Sequence, residues 1–152
     1  MDIRRFGYGH RRPAGPDGTS GVQAAVIHSD ARATVSELAF TRKAILEPHS
    51  SPNTTWFLVI EGGGFVLVGD ETARVFAGQA VHWPAGVVHG ASTDVSEMRA
   101  IVVELAGPDD HALRGVLEGV ALPLPAGPVA KAEGALADDR SVVYDPAHGE
   151  PL

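Results

Sequence analysis

Seven histidines and no cysteine define the chemistry open to this 152-residue chain. Without cysteine, disulfides, thiolate nucleophiles and Cys-ligated zinc or iron–sulfur centres are all excluded. Imidazole chemistry is what remains: a ring nitrogen can ligate a divalent ion, exchange a proton near neutral pH, or hold a ligand by a hydrogen bond. Two histidines stand in settings that point to such use. His49 heads the run HSSPNTTWFLVIEGGG, in which Ser51, Asn53 and Thr55 lie near an apolar segment. His89 closes the run GQAVHWPAGVVHG, which also holds His82 beside Trp83. His10, His28, His111 and His148 fall in loops or near a helical segment and read as solvated.

The elements that must position these residues are short strands. The chain's 18 glycines and 11 prolines punctuate it rather than cluster, which favours many strands over long helices. Residues 7–21 read as an extended loop, and ATVSELAF (33–40) as a strand. Segments 56–61 and 64–69 read as a hairpin turning at Gly62 and Gly63, followed by strands at 72–76 and 79–83, and MRAIVVEL (98–105) is the strongest β run. Because residues two apart share a strand face, Thr55, Phe57 and Val59 are placed inward and Trp56, Leu58 and Ile60 outward. DDHALRGVLEG (109–119) alone has a helical stripe and cap, and the Pro/Ala/Gly-rich remainder reads as an extended tail with SVVY (141–144) as a candidate strand. The expectation is one domain: an arm and first-strand region over 1–32, a β core over 33–106, and a short helix and tail over 107–152.

Gly78, Pro84, Gly86 and His89, with their intervals of five, one and two residues, resemble the second sequence motif of the cupin superfamily. That motif continues to an asparagine four residues after the histidine, where this chain has Thr93. Aligning Gly62 with the glycine that ends the first motif keeps His49 as its first histidine, while Ser51 stands for the second histidine and Thr55 for the glutamate. The resemblance implies an all-β fold, a double-stranded β-helix or jelly-roll barrel with a pocket between its sheets. In ligand-complete members, two or three imidazoles and a carboxylate hold Fe, Mn, Ni, Cu or Zn with positions open to substrate. Two of the four usual ligands are replaced here by hydroxyls, which bind such ions poorly.

The candidate ligand-binding set is therefore His49, Ser51, Asn53, Thr55, Phe57, His82, His89 and Thr93. The leading expectation is a small polar or aromatic molecule in the barrel, bound without metal, with a carboxylate, carbonyl or phenol suited to two imidazoles. The first rival is a metal-dependent oxygenase, isomerase or cyclase holding Zn, Ni, Mn or Fe on His49 and His89. It needs a substitute ligand such as His82 or an inward Glu37 or Glu104. The second rival is a non-catalytic structural or regulatory dimer with a closed barrel.

Charge and hydropathy bound the partners. The formal net charge is −7, and the cations Arg4, Arg5, Arg11 and Arg12 gather at the amino terminus as a solvated or subunit-contacting arm. An acidic body repels nucleic acid, and no run is long or apolar enough for a membrane helix or a secretory signal, so cytoplasmic residence is expected. The apolar outward face of Trp56, Leu58 and Ile60 needs cover, for which a homodimer is expected.

Overall fold

The computed structural model describes residues 1–107. The helix expected at 109–119, the strand at 141–144 and the tail lie outside the described residues. Eight strands follow one another: β1 (Arg12–Pro13), β2 (Ser20–Ser29), β3 (Ala33–His49), β4 (Thr54–Val68), β5 (Glu71–Phe76), β6 (Ala80–Trp83), β7 (His89–Ser92) and β8 (Met98–Leu105). Every pairing is antiparallel. No helix among these residues is long and apolar enough to cross a membrane.

Two long strands organise the barrel. The first part of β3 pairs with β8 and its last part with β7. β4 does the same, pairing with β8 over 54–62 and with β7 over 65–68. β2 flanks β3, while β6 and β5 flank the two halves of β4. β8 thus joins the long strands at one end and β7 joins them at the other, closing an all-β jelly-roll barrel of the expected class.

The hairpin expected at Gly62 and Gly63 does not exist. Segments 56–61 and 64–69 are successive stretches of β4, and the reversal comes later, where Val68 pairs with Glu71. Gly62 serves a corner instead. A register shift between Val59 and Glu61 precedes it, its φ is +69°, and a Cβ there would run into the Glu97 carbonyl oxygen. The glycine lets the strand bend from one partner to the other while backbones approach closely. β3 has its own corner at Lys43, with φ 55°, where Lys43 N–H donates to Asp94 O at 3.0 Å.

Thr93 belongs to that second corner. Its hydroxyl accepts from Ala44 N–H at 2.9 Å and donates to the Thr41 carbonyl, replacing ladder bonds that the bend interrupts. The expected ligand contact is corrected accordingly: the hydroxyl is committed to the corner, and Thr93 does not line the cavity formed by His49 and His89.

Alternation along β4 is as expected, with Thr55, Phe57 and Val59 buried and Trp56 and Ile60 exposed. Phe57 is fully buried, stacked on Trp83 with centroids 4.7 Å apart and edge-on to Phe40 at 6.1 Å. It belongs to a core with Met98, Ala100, Val22, Leu46 and Val66. The placement of Phe57 as a pocket residue is corrected: the ring faces inward but is enclosed by other side chains.

The opposite face of β3 accounts for one of the amino-terminal arginines, Arg11. Glu37 has a fully buried side chain, and Leu38, next to it, faces the other side of the strand as strand geometry requires. Arg11 from the arm donates Nε to Glu37 Oε2 at 3.1 Å and Nη2 to Oε1 at 2.8 Å. Arg99 of β8 donates Nε to Oε1 at 2.8 Å and Nη1 to Glu61 of β4 at 2.6 Å. Arg11 is thus a packed ion-pair partner rather than a solvated arm residue. Glu37 is no inward metal ligand either, since its carboxylate is taken by two guanidiniums on the outer face.

Candidate functional site

Two cross-strand pairs assemble the site. His49 near the end of β3 and His89 at the start of β7 are direct neighbours in register. Thr55 on β4 is the direct neighbour of Glu104 on β8 and, on its other side, of Trp83 on β6. Antiparallel neighbours point their side chains to the same face about 5 Å apart, so both groups converge on the interior. Pro84 and Gly86 set up the second pair of strands: Val87 N–H donates to Pro84 O at 3.2 Å, and Gly86 N–H reaches across to Ser51 O at 2.7 Å, tying the two motif loops together. The chain re-enters the barrel at His89, which is only 2 % exposed.

The cavity that results has a volume of about 170 Å3. His49, Ser51, Thr55, His89 and Glu104 bring polar groups to it, and Leu38, Leu46, Trp83 and Val102 give it apolar walls. The imidazole centroids are 4.6 Å apart, edge to face, and His89 lies flat on Trp83 at 4.4 Å. Phe57, Trp83 and His89 thus form a continuous stack that fixes the His89 ring from one side.

Each histidine is fixed in one tautomer by its own backbone surroundings. His49 Nδ1 lies 2.8 Å from Glu47 O and His89 Nδ1 lies 3.0 Å from Val87 O. A carbonyl only accepts, so Nδ1 carries the proton in each ring, and each Nε2 keeps its lone pair when neutral. Burial pushes the His89 pKa below the usual imidazole range, with repulsion from His49 adding to the effect while the Val87 carbonyl and Glu104 oppose it.

Glu104 is held in place by two residues of the first-motif loop. Ser51 Oγ donates to its Oε1 at 2.9 Å and Asn53 Nδ2 donates to the same oxygen at 2.8 Å. Asn53 is itself anchored, accepting from Gly107 N–H at 3.1 Å through Oδ1. Asn53 therefore stands behind Glu104 rather than in the cavity lining. Among the described residues, Glu104 Oε2 and the Thr55 hydroxyl make no hydrogen bond.

His82 is the remaining sequence-based candidate, and it lies elsewhere. Alternation along β6 turns Trp83 inward and His82 outward, where its ring stacks on the exposed Trp56 at 4.8 Å. It cannot substitute as a ligand beside His49 and His89. Trp83 is a lining residue that the sequence reading does not single out.

The site does not fit the family's metal. Among the described residues no three His, Cys, Asp or Glu side chains are placed to share an ion. The donor set explains this: Ser51 and Thr55 bring hydroxyls where an imidazole and a carboxylate would be needed, and Glu104 Oε1 already accepts two hydrogen bonds.

A family model described as a cupin domain matches residues 40–104, which span both motif loops and all of the pocket except Gly15 and Leu38. Residues 40–104 form a cupin domain. No protein of curated function matches it in sequence. Solved cupin-type barrels share its fold. The polyketide cyclase RemF from Streptomyces resistomycificus superposes with a TM-score of 0.60 at 19 % identity, covering 72 % of this chain and 83 % of its own. KdgF from Halomonas sp. gives a TM-score of 0.54 at 21 % identity over 64 % of this chain and 90 % of its own. An RmlC-like cupin from Shewanella frigidimarina gives 0.56 at 19 % identity over 72 % and 95 %. At such identities the likeness extends to the fold of this cupin and no further.

Proposed function

We propose that this cupin binds a small organic molecule in the cavity between His49, His89, Thr55 and Glu104, without a resident metal. The observation that carries the reading is the pair of imidazoles whose Nδ1 atoms face backbone carbonyls, so that two Nε2 lone pairs enter one apolar-walled cavity. Half-buried to buried polar groups of this kind gain from a partner, and the part-apolar lining suits an organic molecule. The volume of about 170 Å3 is close to that of an engineered cavity that binds benzene, about 150 Å3, so the molecule is one ring or a short chain.

One second reading is a divalent ion on His49 and His89 in an oxygenase, isomerase or cyclase, which would need a further ligand that no described residue is placed to supply. Metal-bound histidines commonly donate their other ring N–H to a carbonyl, as both do here. A cyclase is among the structural neighbours of this chain, which keeps ring-forming chemistry within reach of either reading. The exposed outer face of Trp56 and Ile60 supports a homodimer, and cytoplasmic residence accords with a chain free of cysteine.

Ligand-observed NMR with single-ring fragments separates these readings. Fragments that bind the chelator-treated protein and lose binding in His89→Ala, with the thermal melt preserved, support the metal-free pocket. Binding that appears only after adding Zn, Ni, Mn or Fe overturns it in favour of the metal enzyme.

A further inference from the structure

The position that carries a glutamate in the family's first motif is Thr55 here, yet a carboxylate still reaches the cavity. It comes from Glu104, the residue paired with Thr55 across the β4–β8 ladder. The charge has moved one strand sideways. It has also acquired its own support, because the serine in the second-histidine position and Asn53 both donate to its Oε1. A carboxylate held by two neutral donors, with no arginine or lysine among the described residues that line the cavity, gives these residues a net negative charge when the imidazoles are neutral and the carboxyl is ionised.

The hydrogen-bonding inventory is weighted towards acceptors, with the buried and unpartnered indole N–H of Trp83 as a donor on the lining. His49 Nε2 and His89 Nε2 accept, Glu104 Oε2 accepts, and among the described residues none of the three has a donor from the protein. Only the hydroxyls of Thr55 and Ser51 can turn either way, and Ser51 already donates to Glu104. A ligand that brings a carboxylate would meet three acceptors and a like charge. A ligand that brings an O–H supplies a donor to one of them.

Resting on the pocket reading above, we propose that the cavity selects a neutral single-ring ligand by a donating hydroxyl, a phenol or enol, and that Glu104 is the specificity residue that rejects carboxylates. The hydroxyl proton points at the imidazole Nε2 atoms or at Glu104 Oε2, and the ring lies against Leu38, Leu46 and Val102. Trp83 offers no free face, since His89 covers one side and Phe57 the other, so the aromatic wall is closed to a stacking ligand and recognition falls on the polar edge.

The test compares phenol, anisole and benzoate as NMR probes on the full chain and on Glu104→Gln. Glutamine keeps an oxygen for the Ser51 and Asn53 hydrogen bonds while removing the charge. Phenol should shift the pocket resonances of the wild-type chain, and anisole, which lacks the donor, and benzoate, which adds the charge, should each bind at least roughly tenfold more weakly. In Glu104→Gln the gap between phenol and benzoate should shrink by about tenfold. Benzoate binding the wild-type chain as well as phenol overturns the selectivity and leaves the pocket reading standing, a comparison that needs no variant to fold. No pocket response to any of the three probes overturns the selectivity and the pocket reading together.

Discussion

Replacing Glu37 by glutamine should lower stability substantially and change how stability depends on pH. The wild-type carboxylate is fully buried and receives two guanidiniums whose side chains are 16 % and 34 % exposed, Arg11 and Arg99. Removing one partner of a buried ion pair costs about 3–5 kcal/mol. Both guanidiniums here touch water and Arg99 keeps Glu61, so the low end, about 3 kcal/mol, is the expectation. For a chain of this size that corresponds to a fall in Tm of roughly 6–12 °C. Hydrogen bonds from Arg11, and then from Arg99, hold the Glu37 carboxyl below its ordinary range against the opposing effect of burial. A carboxyl with a depressed folded-state pKa stabilises the fold above its unfolded value, near 4.3, and loses that contribution as pH falls through the folded value. Urea melts from pH 7 down to pH 3 should therefore show the gap between wild type and Glu37→Gln closing as the solution is acidified. An equal gap at both ends, or no gap at pH 7, refutes the role given to this network.

Gly62→Ala should cost about 1–2 kcal/mol for the left-handed backbone alone, with more from contact between the new Cβ and the Glu97 carbonyl, measurable by chemical denaturation. Thr93→Val, which keeps the shape but strands Ala44 N–H and Thr41 O at the β3 corner, should cost about 1–3 kcal/mol in the same assay without changing phenol binding. The double change Ser51→His with Thr55→Glu should give a protein that retains a stoichiometric divalent metal through purification, read by elemental analysis; a metal-free product speaks against the alignment of the first motif. Light scattering at micromolar concentration should return twice the 15.8 kDa chain mass, and a monomer would remove the reason given for the exposed Trp56 and Ile60.

The spacing of Gly78, Pro84, Gly86 and His89 made the barrel legible through its resemblance to the second cupin motif, and the Pro84–Gly86 break marked where one strand ends before His89 begins the next. Two-residue periodicity likewise placed Thr55, Phe57 and Val59 inside. Periodicity cannot say whether an inward side chain lines a void or fills one, which is why Phe57 was expected in the pocket and lies in the core beneath it. It also treats a glycine corner and a glycine turn alike: Gly62 and Gly63 carry the signal of a reversal, and only the pairing of β4 with both β7 and β8 shows that the strand bends and continues. Thr93 was placed by analogy with a motif position, and its two backbone hydrogen bonds come from a corner in a strand about 50 residues earlier. The role of Glu104 depends on the register between β4 and β8, a long-range fact that no local pattern contains.

The central claim is that His49 and His89 offer two bare Nε2 atoms to a small organic ligand. Long-range proton–nitrogen NMR on the imidazoles of the chelator-treated protein at pH 7.5 tests it most directly. Nδ1-protonated rings with unprotonated Nε2 atoms are expected in both residues, with a shift of at least one Nε2 signal on adding phenol. Nε2-protonated rings, or Nε2 signals unmoved by any single-ring ligand, would contradict it.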